Sequence, residues 1–281
     1  MKYGIVVDSG CDITNIEDFT KCGIAFTRVP LSLQVGNKTF IDDLHLDIND
    51  FLEESYAYKG KSGSAAPSPG AWCDAYSSAE YIFVITITGT LSGSYSSACT
   101  GKNMYLETDP AKRIHVINSL SAGPYIALLA YKLKELILED LDFDTIVEKI
   151  TEYDTHTHLL FVLEHLDNLI KNGRVSKLQG GLAGILGIKM LGCSDEHGQL
   201  SVLEKCRGKS TAYDKLVATM YEKGFHGGKV VINHCNNENM ATRIRDKIHE
   251  TYPDCEITIM TPSGLCCFYE EKGGVMVGFE S

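Results

Sequence analysis

Short apolar runs alternate along the chain with segments whose apolar residues recur at helical spacing. The sharpest run is 81–85, Tyr-Ile-Phe-Val-Ile, which is β-branched, aromatic and free of charge, so it predicts a buried strand. Runs at 3–7, 24–33, 113–117, 159–163, 188–191, 200–205, 229–233, 256–260 and 275–279 predict further strands, with Pro30 at an edge or a bulge. Helical spacing predicts helices over 49–58, from Pro69 or Gly70 through Trp72 and Tyr76, and from the 92–94 turn through Ala98 and Met104. Others follow through Ile126, Leu129, Leu133 and Ile137, and over 143–151, 164–170, 238–252 and a stretch holding Leu216 and Met220. Strands alternating with helices indicate an α/β fold. The predicted architecture is two tandem α/β domains: a doubly wound, mostly parallel sheet in 1–158 and a mixed sheet in 159–281.

Polar clusters follow the strands, and they are where chemistry is expected. Asp8-Ser9-Gly10-Cys11-Asp12 closes the first strand, and Ser9 and Asp12 read as helix-starting residues. Thr86-Ile87-Thr88-Gly89-Thr90-Leu91-Ser92-Gly93-Ser94 closes the 81–85 strand, with Ser92 or Ser94 as the cap of the next helix. A Gly/Ser turn between a strand and a helix lets backbone N–H groups converge on an anion. Asn118-Ser119 closes the 113–117 strand, and Ser121 reads as the following N-cap. Ligands of doubly wound sheets lie beyond the strand C-termini, so these clusters should share one edge. Residues 61–70 contain two prolines and two glycines and predict irregular structure, either an idle surface loop or a carrier of binding groups. Asp42-Asp43 reads as the start of an acidic patch, and His165 as a packed or capping histidine. Leu182, Ile185, Leu186 and Ile188 lie in or beside a glycine-laced apolar segment, 178–187, that reads as packing against another element or an alkyl ligand.

Bulk composition narrows the classes. The chain has 281 residues and a net charge of -11, which argues against nucleic acid as a partner. No apolar run is long enough to cross a bilayer, and the N-terminus turns polar too soon for a signal peptide, so the expected location is the cytoplasm with at most transient membrane contact. Ten cysteines include no C-x-x-C pair, so reduced thiols are expected, with Cys99 and Cys235 in apolar surroundings. His156-x-His158 and His234-Cys235 lack a third ligand, and neither a metal nor a cofactor is expected. There is no G-x-S-x-G elbow, Walker loop or G-x-G-x-x-G after the first strand.

Several motifs taken together resemble the DegV family of fatty-acid-binding proteins over most of the chain. Asp8-Ser9-Gly10-Cys11-Asp12 resembles the family's D-S-x-x-D, and Ser64-Ala65-Ala66-Pro67-Ser68 its T-S-x-P-S. Leu91-Ser92-Gly93-Ser94-Tyr95-Ser96-Ser97-Ala98 resembles L-S-G-T-Y-x-S-A. Asn118-Ser119 stands at the family's D-S, Leu166 to Ser176 at L-x-x-L-x-x-G-R-x-S, and Lys205-Cys206-Arg207-Gly208 at a basic R-G segment. The resemblance implies a carrier, not an enzyme, that buries one long-chain fatty acid and offers its carboxylate to a separate cytoplasmic fatty acid kinase for phospholipid synthesis. It implies Ser64 and Ser92 as head-group ligands, with Gly93, Ser94 and Ser119 beside them. Arg174 and Arg207 would serve the kinase or a phosphorylated head group, although Arg174 also fits a residue that satisfies helix C-terminal carbonyls.

Two departures stand out. Ser64 replaces a threonine and keeps the hydroxyl. Glu270 stands where relatives have a histidine that helps bind the carboxyl group. Two facing carboxylates repel, so either one keeps a proton or Glu270 turns away as a solvated loop residue. The first case predicts weaker binding at alkaline pH, or a different head group. The rival functions are a serine-dependent acyl hydrolase or transferase using Ser92 or Ser64, and a lipid-sensing regulatory module.

Overall fold

The computed structural model describes residues 1–175 and 188–281. Strands β1 (Tyr3–Asp8) and β2 (Ala25–Val29) pair in parallel. Between them lies only a short helix, α1 (Glu17–Thr20). Strand β3 (Ser32–Val35) turns at Gly36-Asn37 into β4 (Lys38–Ile41). The predicted 24–33 strand therefore splits at Pro30, and its two halves enter different sheets. Proline brings no N–H to a ladder, which makes it a natural break.

Helix α2 (Ile48–Ala57) is capped by Asp47, whose carboxylate accepts from the Asn49 and Asp50 amides. The stretch expected to be irregular contains a strand, β5 (Ser62–Ala65), which pairs antiparallel with β3 and places Ser64 opposite Leu33. Helix α3 (Pro69–Ala75) then starts at the Ser68 cap. Strand β6 (Tyr81–Thr86) leads to α4 (Ser94–Thr108), β7 (Arg113–Asn118), α5 (Pro124–Leu138) and α6 (Phe143–Thr155).

The second half runs β8 (Thr157–Leu163), α7 (Asp167–Lys171), β9 (Ile188–Ser194) and β10 (Leu200–Arg207). It continues with α8 (Lys209–Glu222), β11 (Val230–His234), α9 (Glu238–Thr251) and β12 (Ile257–Met260). The sequence reading has no counterpart for α10 (Gly264–Glu270), which precedes β13 (Val275–Glu280).

Three sheets form among the described residues. A parallel sheet has the order β2-β1-β6-β7, a mixed one β10-β9-β8-β13-β11-β12, and a small antiparallel one β4-β3-β5. Two tandem α/β units are thus present, and the mixed sheet begins at Thr157, two residues before the predicted second unit. Side chains alternate across each large sheet, as the pleat requires. Ile5, Val7, Phe83 and Ile85 face inward with Leu159, Phe161 and Leu163, while Val6, Ile82 and Val84 pack on Trp72 and Tyr76 of the α3 turn. On the far side, Leu160 and Val162 meet Leu216 of α8 and Ile244 of α9.

Helix α5 lies between the two large sheets and contacts strands of both. Its first half, Pro-Tyr-Ile-Ala-Leu-Leu-Ala, is buried throughout, as a helix enclosed on several sides must be. Its N-cap is Gly123, not Ser121. Gly123 adopts φ +54°, and a Cβ there would sit 2.7 Å from Met276 Cε and 2.9 Å from Asp12 Oδ2, so both conformation and space call for glycine. Helix α10 crosses back from the second half: Leu265 and Phe268 pack with Leu33 of β3 and Phe51 of α2.

Candidate functional site

The C-terminal ends of β1 and β6 meet at one edge, as the strand order requires. Asp8 is fully buried there: its Oδ2 accepts the Ser94 hydroxyl at 2.5 Å and the Ile87 amide at 2.9 Å, and its Oδ1 accepts the Gly10 amide at 3.0 Å. Ser94 therefore fastens the start of α4 to β1. Ser92 Oγ accepts the Ser94 amide at 3.2 Å, while Gly93 is the N-cap residue and makes no side-chain cap bond. Ser119 is also turned inward: its hydroxyl donates to the Ser121 carbonyl and accepts the Ser121 amide, each at 3.1 Å. Ser9 and Asp12 start no helix. Ser9 Oγ accepts the Leu31 amide at 3.0 Å and so ties the β2–β3 break to β1.

Beyond this edge lies a cavity of about 910 Å³, its open mouth included. Among the described residues, Leu159, Phe161, Leu163, Leu200 and Met276 supply apolar wall from the mixed sheet. Ser64, Ser92, Gly93, Arg174, Tyr269 and Glu270 bring polar groups to the same cavity. Ser64 Oγ and the Tyr269 hydroxyl are 2.9 Å apart, which joins β5 to α10. Arg174 Nε donates to the Leu91 carbonyl at 3.3 Å and its Nη1 to the Asn172 carbonyl, beside the C-terminus of α7. Both readings of Arg174 thus have a counterpart: it lines the cavity and it satisfies a carbonyl at a helix end.

Asp8, Asp12, Asp42 and Glu270 are buried carboxyl groups. Burial pushes the Asp8 acid up to about 6, against the opposing pull of its hydrogen bonds to Ser94, Ile87 and Gly10. Asp12 is also raised by burial; it accepts the Ser263 amide at 2.9 Å and the Asn233 amide at 2.6 Å. Asp42 is buried, not part of an exposed patch, and accepts the Gly264 and Leu265 amides at 2.8 and 2.9 Å at the start of α10. Burial raises its acid too, and the Arg28 guanidinium opposes this at Asp8, Asp12 and Asp42 alike. Glu270 is only 2 % exposed, which rules out the solvated loop residue.

Asp42 is the hinge pin between the small sheet and α10. Asp42→Ala should lower stability by about 2–4 kcal/mol, because two buried amides lose their partner, and this outweighs relief of a buried charge. Asp42→Asn, which keeps one oxygen, should cost less. Denaturant titration of the two variants checks the order.

The structure brings Ser64, Ser92, Gly93, Arg174 and Glu270 to one cavity. Ser94 and Ser119 lie behind it and hold the turns that shape it. Arg207 ends β10 on the exposed surface. Ser176, the end of the G-R-x-S motif, and Leu182, Ile185 and Leu186 fall outside the described residues, while Ile188 is half-buried against the core. His165 is exposed, not packed. All ten cysteines are free; Cys235 is buried but Cys99 is half-buried. Among the described residues no cluster of three His, Cys, Asp or Glu could hold a metal ion, and no helix is long and apolar enough to cross a membrane. Tyr269 was not legible as a site residue, because its reach to Ser64 depends on α10. Asp12 and Asn233 meet only through the fold, being 221 positions apart.

Comparison with known proteins gives a consistent picture. The profile described as "Uncharacterised protein, DegV family" matches residues 2–281. A DegV domain-containing protein of Streptococcus pneumoniae (strain ATCC BAA-255 / R6) is 45% identical over 284 residues, covering 100% of this chain and 99% of its own. The crystal structure of the Streptococcus pneumoniae fatty acid kinase (Fak) B3 protein loaded with linoleic acid superposes with a TM-score of 0.96 at 44% identity, covering 100% of this chain and 99% of that one. A DegV family protein from Eubacterium eligens loaded with heptadecanoic acid gives 0.93 at 37% identity, with 99% of each chain covered.

Proposed function

This chain belongs to the DegV family, and from that premise we propose that it is a cytoplasmic carrier that buries one long-chain fatty acid and presents its carboxylate to a separate fatty acid kinase. The observation that carries this reading is the cavity itself: an apolar wall on the mixed sheet and a rim of hydroxyl, amide and guanidinium donors on the other side. An acyl chain of about fifteen methylenes, at ~0.8 kcal/mol each, gains roughly 12 kcal/mol from burial before ordering costs. Its carboxylate loses water in the process and needs donors in return. Ser64, Ser92, the Gly93 backbone and Tyr269 provide them, and Ser94 and Ser119 keep the donor-bearing turns in place. Residues 1–158 and 159–281 act as the two units that enclose the ligand. Arg174 at the cavity and Arg207 on the surface form the face offered to the kinase.

The hydrolase alternative lacks a base. Among the described residues no histidine lines the cavity; Ser64 pairs with Tyr269, and Ser92 accepts a backbone amide. Mass spectrometry of an organic extract of the purified protein should detect about one fatty acid per chain, with serine-directed activity probes silent. Adding the cognate kinase and ATP should then yield acyl phosphate. An extract without lipid, together with no uptake of added oleic acid, would sink the carrier reading. Lipid without acyl phosphate would favour a sensing module.

A further inference from the structure

Among the described residues, Glu270 stands at the site without a hydrogen-bond partner. Glu270 is the last residue of α10, follows Tyr269 directly, and lines the cavity. Both of its side-chain oxygens are buried and neither makes a hydrogen bond to a described residue. No ion pair engages it among the described residues. The groups around it offer little compensation. Asp12 faces it from the loop after β1, Cys235 from the end of β11, and Cys266 and Cys267 from its own helix, and all of these resist added negative charge. The Asn233 side-chain amide, which donates to Asp12, and the Cys235 backbone N–H, which donates to the Gly274 carbonyl, pull the other way but outweigh neither burial nor the negative neighbours. Arg174, on the same cavity, is bonded to the Leu91 and Asn172 carbonyls. Glu271, next in the chain, points to the Asn168 amide and not to Glu270.

A buried carboxyl whose two oxygens accept no hydrogen bond keeps its proton. Burial first, and then the negative neighbours, hold the Glu270 acid well above the ordinary glutamate range. A neutral carboxylic acid is a hydrogen-bond donor, and the one anion expected in this cavity is the ligand's carboxylate. We infer that Glu270 enters the site as the neutral acid and donates its O–H to the carboxylate of the bound fatty acid, so that the two carboxyl groups share a single proton. The inference rests on the fatty-acid reading above. No bond other than the hydrogen bond forms, and the proton that Glu270 carries in the empty protein is the one shared in the complex. Such charge-assisted O–H···O⁻ bonds are short and strong. Glu270 thereby becomes a specificity residue: it rewards a carboxylate and gives no equivalent bond to a hydrocarbon end.

The consequence is a proton linkage. While Glu270 is protonated in the empty protein, binding takes up no proton and affinity is level. Once pH rises past its titration, binding must first restore the proton, and affinity falls by about tenfold per pH unit.

The full-length protein, stripped of lipid, can be tested with carboxyl-¹³C-labelled oleate, whose label moves its own infrared bands away from those of Glu270. At neutral pH the wild type should show a carboxylic-acid C=O band that Glu270→Gln lacks, and oleate should shift it. Glu270→Leu should bind oleate at least ~tenfold more weakly, and Glu270→Gln, which keeps an N–H donor, should rescue that loss. From mildly acidic to alkaline pH the wild type should lose affinity relative to Glu270→Gln. Oleate binding with no Glu270 acid band, with a band that ligand does not move, or with Glu270→Leu as tight as wild type overturns the inference and leaves the carrier reading intact. Failure of wild type and both variants to bind oleate at any pH overturns the carrier reading itself.

Discussion

Filling the cavity at Ala122 should empty the protein of lipid. Ala122 lies just before the Gly123 cap of α5, lines the cavity, and carries only a methyl group. Its φ is not positive, so a larger residue meets no backbone strain of that kind there. A phenyl ring from Ala122→Phe would occupy space that roughly four or five methylenes of an acyl tail would otherwise fill. At ~0.8 kcal/mol per methylene the loss is on the order of 3–4 kcal/mol, or several hundred-fold in affinity. Ser64, Ser92 and Arg174 would all remain, so a head-group account alone predicts little change. Oleate titration and lipid extraction measure the loss. Thermal melting should be unchanged or raised, since filling a cavity stabilises where the backbone accepts it. A variant that co-purifies with as much lipid as the wild type would show that the tail lies elsewhere.

How far the sequence foretold this arrangement depends on which interactions decide each element. Strands such as β6 and β8 carry their own evidence, because an uncharged run buried on both faces has few other uses. The alternation of strands and helices then leads to two α/β units and to a shared edge for Asp8, Ser92 and Ser94. Strand β5 carries no such evidence: Ser-Gly-Ser-Ala has neither pattern nor propensity, and it is a strand because β3 offers it a ladder. Helix α10 is short, and the Asp42 carboxylate that accepts its first amides lies more than 200 positions earlier. The buried carboxyls were the hardest to foresee. Asp and Glu are mostly exposed, so Asp42 reads as surface and Glu270 as at best ambiguous until their surroundings are known. Ser64, Ser92, Gly93, Arg174 and Glu270 were legible through motif resemblance and do share a cavity. The same motifs also contain Ser94 and Ser119, whose hydroxyls are spent on Asp8 and on the Ser121 backbone. A motif marks where a turn must be kept, and some of its residues keep the turn while others face the space it encloses.

The buried carboxyls also set how stability should respond to acid. Asp8 titrates at about 6 in the folded protein against 3.8 ordinarily, with burial as the main cause. The folded state therefore binds this proton more tightly than the unfolded state does, and ionising Asp8 works against folding. The sign is opposite to that of a salt-bridged aspartate. The stabilising contribution of the protonated form is complete below about pH 3.8, and is lost as pH rises through about 6, for a total of about 3 kcal/mol. Asp12, Asp42 and Glu270 are displaced in the same direction. Half-buried His115, His158 and His234 are displaced downward by burial and oppose the trend, because acid charges them more readily in the unfolded chain. The whole-protein curve thus mixes both signs, and the Asp8 part is isolated by comparison with Asp8→Asn. That variant carries a pH-independent offset, since its amide cannot accept from Ser94, Ile87 and Gly10 as the carboxyl does, but it has no proton to gain. Between neutral pH and about pH 5 the wild type should gain on Asp8→Asn by about 1 kcal/mol, with the remainder following at lower pH. Urea titrations of both proteins over that range read the difference directly. Parallel curves would mean that Asp8 is already neutral at pH 7 or is ionised at little cost, and in either case the field of Arg28 and the three hydrogen bonds to its carboxyl would need a different account.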